Sequence, residues 1–79
     1  MSNPHQRKIL RFIRENGGYA IPQGGGYWKT ANGCLINAPN VTRTIYALEE
    51  YGWLERRHFA KEPHRDTYAA VPLTKQEEH

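Results

Sequence analysis

Glycine is distributed unevenly along this chain, and its clustering limits what the middle of the chain can fold into. Six of the seven glycines lie between Gly17 and Gly33. Glycine readily adopts backbone angles that other residues avoid, so such a cluster is typical of turns and of close backbone contacts. We therefore predict a turn-rich segment over residues 17–38. Aromatic residues within it favour two short strands, 19–21 and 27–29, around a turn at 22–26.

The segments on either side of this glycine-rich stretch have helical periodicity. Residues 4–16 begin with a proline, which is favoured at the first helical position, and place Ile9, Phe12 and Ile13 on one face. Residues 39–51 place Val41, Ile45 and Leu48 on one face, and a glycine follows. We predict a helix over each range. Arg43 and Tyr46 then lie on the outer side of the second helix.

The pattern after this second helix changes to that of strands. Residues 53–59 and 67–73 each read as a strand, and a polar, proline-containing loop separates them. We predict a β-hairpin over residues 53–73. The spacing of Thr74 and Glu77 is that of a capping box, which predicts the start of a further helix at residues 74–79.

Length and composition fit one small domain over residues 1–79, with a formal charge of +3. The apolar runs are far shorter than the ~20 residues of a transmembrane helix, and we find no secretory signal. The single cysteine, Cys34, cannot form an internal disulfide. We therefore expect a cytoplasmic protein with no membrane partner.

The stretch from Asn40 to Arg57 resembles part of a known family. It contains Val41, a polar Thr-Arg pair, an aliphatic residue, Leu-Glu, Gly52 and then an apolar pair followed by basic residues. This pattern resembles the recognition helix and first wing strand of winged helix-turn-helix proteins, the bacterial MarR-like regulators above all. The resemblance implies an α+β fold, a small winged helix-turn-helix with about three helices and a β-hairpin wing. Residues 17–36 depart from it, since the family usually has a regular second helix there.

The resemblance also implies a function, which is non-catalytic, sequence-specific binding of double-stranded DNA by a small bacterial or phage transcriptional regulator. The helix at 39–51 would enter the major groove by its N-terminal part, with two acids kept to its last turn. Hydrogen-bonding side chains in its first turns would contact bases or phosphates: Asn40, Thr42, Arg43 and Tyr46. Basic groups of the wing would hold the backbone or the minor groove: Arg56, Arg57, Lys61, His64 and Arg65. Lys29, beside the glycine run, is a further candidate for DNA binding.

Other partners also fit the sequence. An exposed aromatic patch of Tyr27, Trp28 and Tyr46 would make the chain a protein–protein interaction module. The interpretation we favour for Tyr27 and Trp28 is that they cover a small core. The pairing of Arg43 with Tyr46 is similar to that in winged helices that bind Z-form nucleic acid, so structured or left-handed nucleic acid is an alternative ligand. A homodimer would form through helix 1, residues 19–28 or the C-terminal stub at 74–79.

The sequence contains no pattern typical of an enzyme. The four histidines and Cys34 lack metal-ligand spacing, and the only serine, Ser2, has no Ser/His/Asp arrangement around it. The glycine run lacks the spacing of a phosphate-binding P-loop. We predict that Cys34, beside Leu35 and Ile36, is a small buried hydrophobe. The chain is therefore expected to work without catalysis, metal or cofactor.

Overall fold

The computed structural model describes residues 3–72, which form two helices and a four-stranded sheet. The helices are α1 (Pro4–Glu15) and α2 (Val41–Glu50). The strands are β1 (Tyr19–Gly24), β2 (Tyr27–Thr30), β3 (Leu54–Arg56) and β4 (Tyr68–Ala70). All neighbouring strands are antiparallel, in the order β2-β1-β4-β3, so β1 and β4 are central.

The predicted winged helix-turn-helix with about three helices is wrong, because the described chain has two helices and the β1–β2 hairpin lies between them. Gly25 and Gly26 form the hairpin turn with φ angles of 63° and 84°, which suit a two-residue hairpin and not a helix. Gly17 has a φ of 104°, and a Cβ there would lie 2.6 Å from the Ala31 Cβ. The two strands predicted around the turn are present. The predicted helix start at 74–79, one of the three surfaces named for a homodimer, lies outside the described residues.

Helix α1 begins with a capping box. The Gln6 amide donates to Asn3 Oδ1 at 2.8 Å, and the Asn3 amide donates to Gln6 Oε1 at 3.1 Å. Its apolar side buries Ile9, Leu10 and Ile13. The Arg14 guanidinium lies 5.9 Å from the centroid of the Trp53 ring and donates to the Val71 carbonyl, and burial lowers its pKa. Arg14 therefore connects α1 to the end of the sheet.

Helix α2 buries the predicted stripe of Val41, Ile45 and Leu48, together with Thr44. This stripe packs between α1 and one face of the sheet, where the core also contains one side chain from each of the four strands: Ala20, Trp28, Leu54 and Tyr68. The opposite side of α2 faces away from the core. The packing therefore fixes which side chains of α2 are exposed.

The loop between β3 and β4, residues 57–67, folds back over the other face of the sheet. Tyr19 and Ile21 point to that face, because side chains alternate along β1 and Ala20 faces the core. The Phe59 ring packs against Tyr19 with centroids 4.7 Å apart, and Arg65 donates to the Pro22 carbonyl at 2.7 Å. The hairpin predicted over residues 53–73 is thus a ladder of three residue pairs with a loop lying across the sheet.

Candidate nucleic-acid interface

The exposed side of α2 forms an open groove. Its lining includes Asn40, Arg43, Tyr46 and Glu50, with Gly26 of the β1–β2 turn at one end. Arg43 is exposed, and half of the Tyr46 surface is accessible to solvent (50%). Among residues 3–72, Arg43 has neither an ion-pair nor a hydrogen-bond partner. Its guanidinium is therefore available to a ligand.

Asn40 starts α2 in an unusual conformation. Its φ of 54° lies in the left-handed region, which asparagine tolerates better than most residues. Its carbonyl accepts the amide of Thr44 at 3.0 Å, while its side chain makes no capping hydrogen bond. The side-chain amide of Asn40 is thus not used by the helix start.

The structure gives Thr42 a role inside the protein. The Trp28 Nε1–H donates to the Thr42 hydroxyl at 2.9 Å, and that hydroxyl donates to the Gly26 carbonyl at 3.5 Å. The Trp28 side chain is 3% exposed, so its N–H needs a partner within the protein. Thr42 therefore satisfies a buried indole and connects α2 to the β1–β2 hairpin.

Tyr46 is supported by a cluster of aromatic rings. Its ring centroid lies 6.5 Å from that of Trp28, edge to face, and 6.2 Å from that of Tyr68. Trp28 and Tyr68 are themselves 5.8 Å apart and buried. Edge-to-face and tilted pairs at these distances are favourable. The buried rings of Trp28 and Tyr68 therefore fix the position of the exposed Tyr46 ring.

Arg56, at the end of β3, extends this surface past Tyr46. Its guanidinium lies 5.8 Å from the centroid of the Tyr68 ring, and its Nε lies 3.9 Å from Glu49 Oε2. The hydrogen bond to Tyr68 raises the pKa of Arg56, and the nearby Glu49 carboxylate adds to this. Tyr68 was not among the predicted site residues. The alternation of side chains along its strand is the sequence signal that predicts a core-facing ring for Tyr68.

The other predicted cations lie on the outer face of the sheet. The Lys29 Nζ is 4.0 Å from Glu62 Oε1, and the Arg65 Nε is 3.1 Å from the same oxygen. Arg57 pairs with Glu55. Lys61 and His64 are exposed in the same loop. The structure thus separates these five residues from the face of α2.

Glu62 is a second residue whose role was not predicted from the sequence. Its spacing to Arg65 (i, i+3) is a local signal of an ion pair, but its contact with Lys29 depends on the path of the loop across the sheet. Because the Glu62 carboxylate lies near both cations, it partly neutralises the positive potential around them.

The three aromatic residues proposed as a protein-binding patch do not form one exposed surface. Trp28 is buried beneath Tyr46, whereas Tyr27 is 64% exposed and, by the alternation of β2, points to the other face of the sheet. The predicted burial of Cys34 is also wrong, because that side chain is exposed.

Among residues 3–72, no three His, Cys, Asp or Glu side chains are placed to hold a metal ion. No helix in the same range has the length and apolar character to cross a membrane. Comparison of the chain with family models, curated proteins and solved structures gives no match. The MarR-like resemblance thus gains no support, and a function has to be argued from the surface itself.

Proposed function

We propose that this protein binds double-stranded DNA and that the exposed side of α2 enters the major groove. The observation that supports this most directly is the layout of that side. Arg43 and Tyr46 occupy its first two turns, and the acids of the helix, Glu49 and Glu50, come at its end. The major groove admits an α-helix, and acids kept to one end avoid the phosphates.

The side chains at the start of α2 suit the base edges of the major groove. The free guanidinium of Arg43 can donate to both O6 and N7 of guanine, and the Asn40 amide can pair with adenine. Tyr46 can contact a base or donate to a phosphate. Thr42 is engaged by Trp28, so we assign it the task of holding α2 in place.

The helix is well anchored for such a role. Its buried stripe, the Trp28–Thr42 hydrogen bond and the contact between the His5 ring nitrogen and the Pro39 carbonyl at 2.9 Å all fix its position. A preorganised helix loses less conformational entropy when it binds. Arg56, at the other end of the surface, lies 3.9 Å from Glu49, so we expect it to add at most a weak phosphate contact there.

The test is a binding titration with DNA sequences selected by the purified protein from a random duplex library. Arg43→Ala should weaken binding to the selected duplex by about 1–3 kcal/mol and relax the base preference at one position. Arg11→Ala, which removes an exposed arginine from α1, is the matched control and should change affinity much less. If no salt-dependent DNA binding is found, or if both variants bind equally, the proposal is wrong.

We further propose that DNA occupancy by this protein regulates transcription. With α2 in the groove, the protein would cover its site or place a partner there, and so block or recruit the polymerase. A reporter gene with the selected site in its promoter should respond to the wild-type protein and not to the Arg43→Ala variant. Equal reporter response to both proteins would contradict a regulatory role for this surface.

A further inference from the structure

A second groove, with a volume of about 480 Å³, lies between α1 and the segment that precedes α2. Its floor is apolar and includes Ile9, Phe12, Leu35 and Ile36. Leu35 is 52% exposed, so the groove presents an accessible leucine side chain.

Backbone hydrogen bonds between residues 34–36 and β2 determine the exposure of Leu35. Leu35 bridges Lys29 of β2, the Ile36 amide donates to the Trp28 carbonyl at 2.9 Å, and the Thr30 amide donates to the Cys34 carbonyl at 2.8 Å. This pairing imposes the alternation of a strand, with Ile36 buried at 5% exposure and Leu35 turned outward. Leu35 is therefore kept out of the core, and it lines the groove together with Phe12.

Basic side chains line the α1 side of this groove. His5, Lys8 and Arg11 follow one another at three-residue intervals along the helix, and Glu15 is the one acid among the lining residues. Among residues 3–72, Lys8 and Arg11 have no ion-pair partner. The groove therefore combines an apolar floor with a cationic rim.

We infer that this groove binds a short acidic segment of a partner protein, whose apolar side chains pack against Leu35 and Phe12. Acidic groups on the segment complement Lys8 and Arg11, and its apolar groups complement the floor. Nucleic acid would supply the negative charge but no aliphatic side chains to cover Leu35. The groove shares only Ala38 with the lining of the α2 surface, so this inference does not depend on DNA binding.

The experiment uses the ¹⁵N-labelled full chain and a synthetic probe. The probe is an acidic peptide of about 12 residues with Leu or Phe at every third or fourth position and Glu or Asp elsewhere. We expect it to shift the backbone amides of α1 and residues 35–38. Two matched peptides, one with Ser in place of Leu and Phe and one with Gln in place of the acids, should bind at least about ten-fold more weakly.

Variants of the protein locate the site. Leu35→Ser and the double variant Lys8→Glu/Arg11→Glu should each weaken binding of the acidic peptide about ten-fold or more. These three side chains are exposed, and a dispersed amide spectrum verifies that each variant is folded. Arg43→Ala lies outside the groove and should bind the peptide as the wild type does.

Several results would overturn the inference. One is the absence of shifts in the groove amides at millimolar peptide. Another is equal binding of the Gln-substituted peptide, since the cationic rim would then have no role. A third is a duplex DNA that shifts these amides where the peptide does not, because the groove would then be a nucleic-acid site. Loss of DNA binding alone, with peptide binding intact, would refute the proposed function and not this one.

Discussion

Replacing Thr42 by valine tests whether this residue acts inside the protein. The substitution keeps the branched shape of the side chain and removes the hydroxyl that accepts the Trp28 indole N–H at 2.9 Å. Trp28 is 3% exposed, so the N–H would be left in a largely dry environment without its partner. We therefore expect Thr42→Val to lower stability.

The size of the effect follows from the cost of an unpaired buried donor, which is about 1–3 kcal/mol. Thr42 itself is half-buried, so some water can approach the vacated position. This places the expected loss at about 1–2 kcal/mol in the free energy of unfolding. For a domain of this size, each kcal/mol corresponds to about 4–8 °C in Tm, so Tm should fall by on the order of 5–15 °C.

Urea denaturation followed by far-ultraviolet circular dichroism measures this loss. Thr42→Ser keeps the hydroxyl and should retain most of the stability, whereas Trp28→Phe removes the donor. In the double variant Trp28→Phe/Thr42→Val, the effects should be non-additive by about 1 kcal/mol, as expected for a direct contact. A double-mutant cycle with no coupling, or a Thr42→Val variant as stable as the wild type, would refute this reasoning.

Three further substitutions test the core, the exposed face of α2 and the ion pairs of the loop. Ile45→Ala removes a fully buried side chain and should lower the free energy of unfolding by about 2–5 kcal/mol, measured by thermal melts. Tyr46→Ala, on the exposed face of α2, should lower stability less but weaken DNA binding, measured by anisotropy titrations. Glu62→Gln removes the carboxylate shared by Lys29 and Arg65 and should lower stability by less than about 1 kcal/mol, because all three side chains are partly exposed. A loss above about 2 kcal/mol in urea would show that the loop contributes more to the fold than its ion pairs suggest.

Local periodicity was sufficient to place the two helices and their buried sides. Val41, Ile45 and Leu48 recur at helical spacing because they pack against one surface, and that surface exists in the structure. The β1–β2 hairpin was also predictable, since aromatic residues flank a glycine turn. Each of these features depends on residues close together in the chain.

The arrangement of the sheet could not be predicted in this way. Strand β1 pairs with β4, and Tyr19 lies opposite Ala69, far away in the sequence. The family pattern from Asn40 to Arg57 describes one helix and one strand, and such a local pattern does not constrain residues 17–38. The winged-helix prediction failed there, because it extended a local resemblance to a part of the chain with different chemistry.

The candidate site shows the same division between local and long-range information. The helical period correctly placed Arg43 and Tyr46 on the exposed side of α2. The engagement of Thr42 by Trp28 and the position of Glu62 beneath two cations depend on contacts between distant segments. Predicted site residues of similar chemistry therefore differ in whether their polar groups are free to bind a ligand.

This difference has a measurable consequence in the salt dependence of DNA binding. If all six Lys and Arg residues predicted at the interface neutralised phosphates, the plot of log affinity against log salt would have a slope of about −5. In the structure Lys29 and Arg65 share Glu62, and Arg57 pairs with Glu55, while Lys61 lies in the loop across the outer face of the sheet. Arg43 remains unpaired on the α2 surface and Arg56 is paired there with Glu49, so we expect a slope of about −1, and about −2 if Arg56 also contacts a phosphate. An anisotropy titration at several salt concentrations distinguishes these values, and a slope near −5 would mean that the loop leaves the sheet when DNA binds.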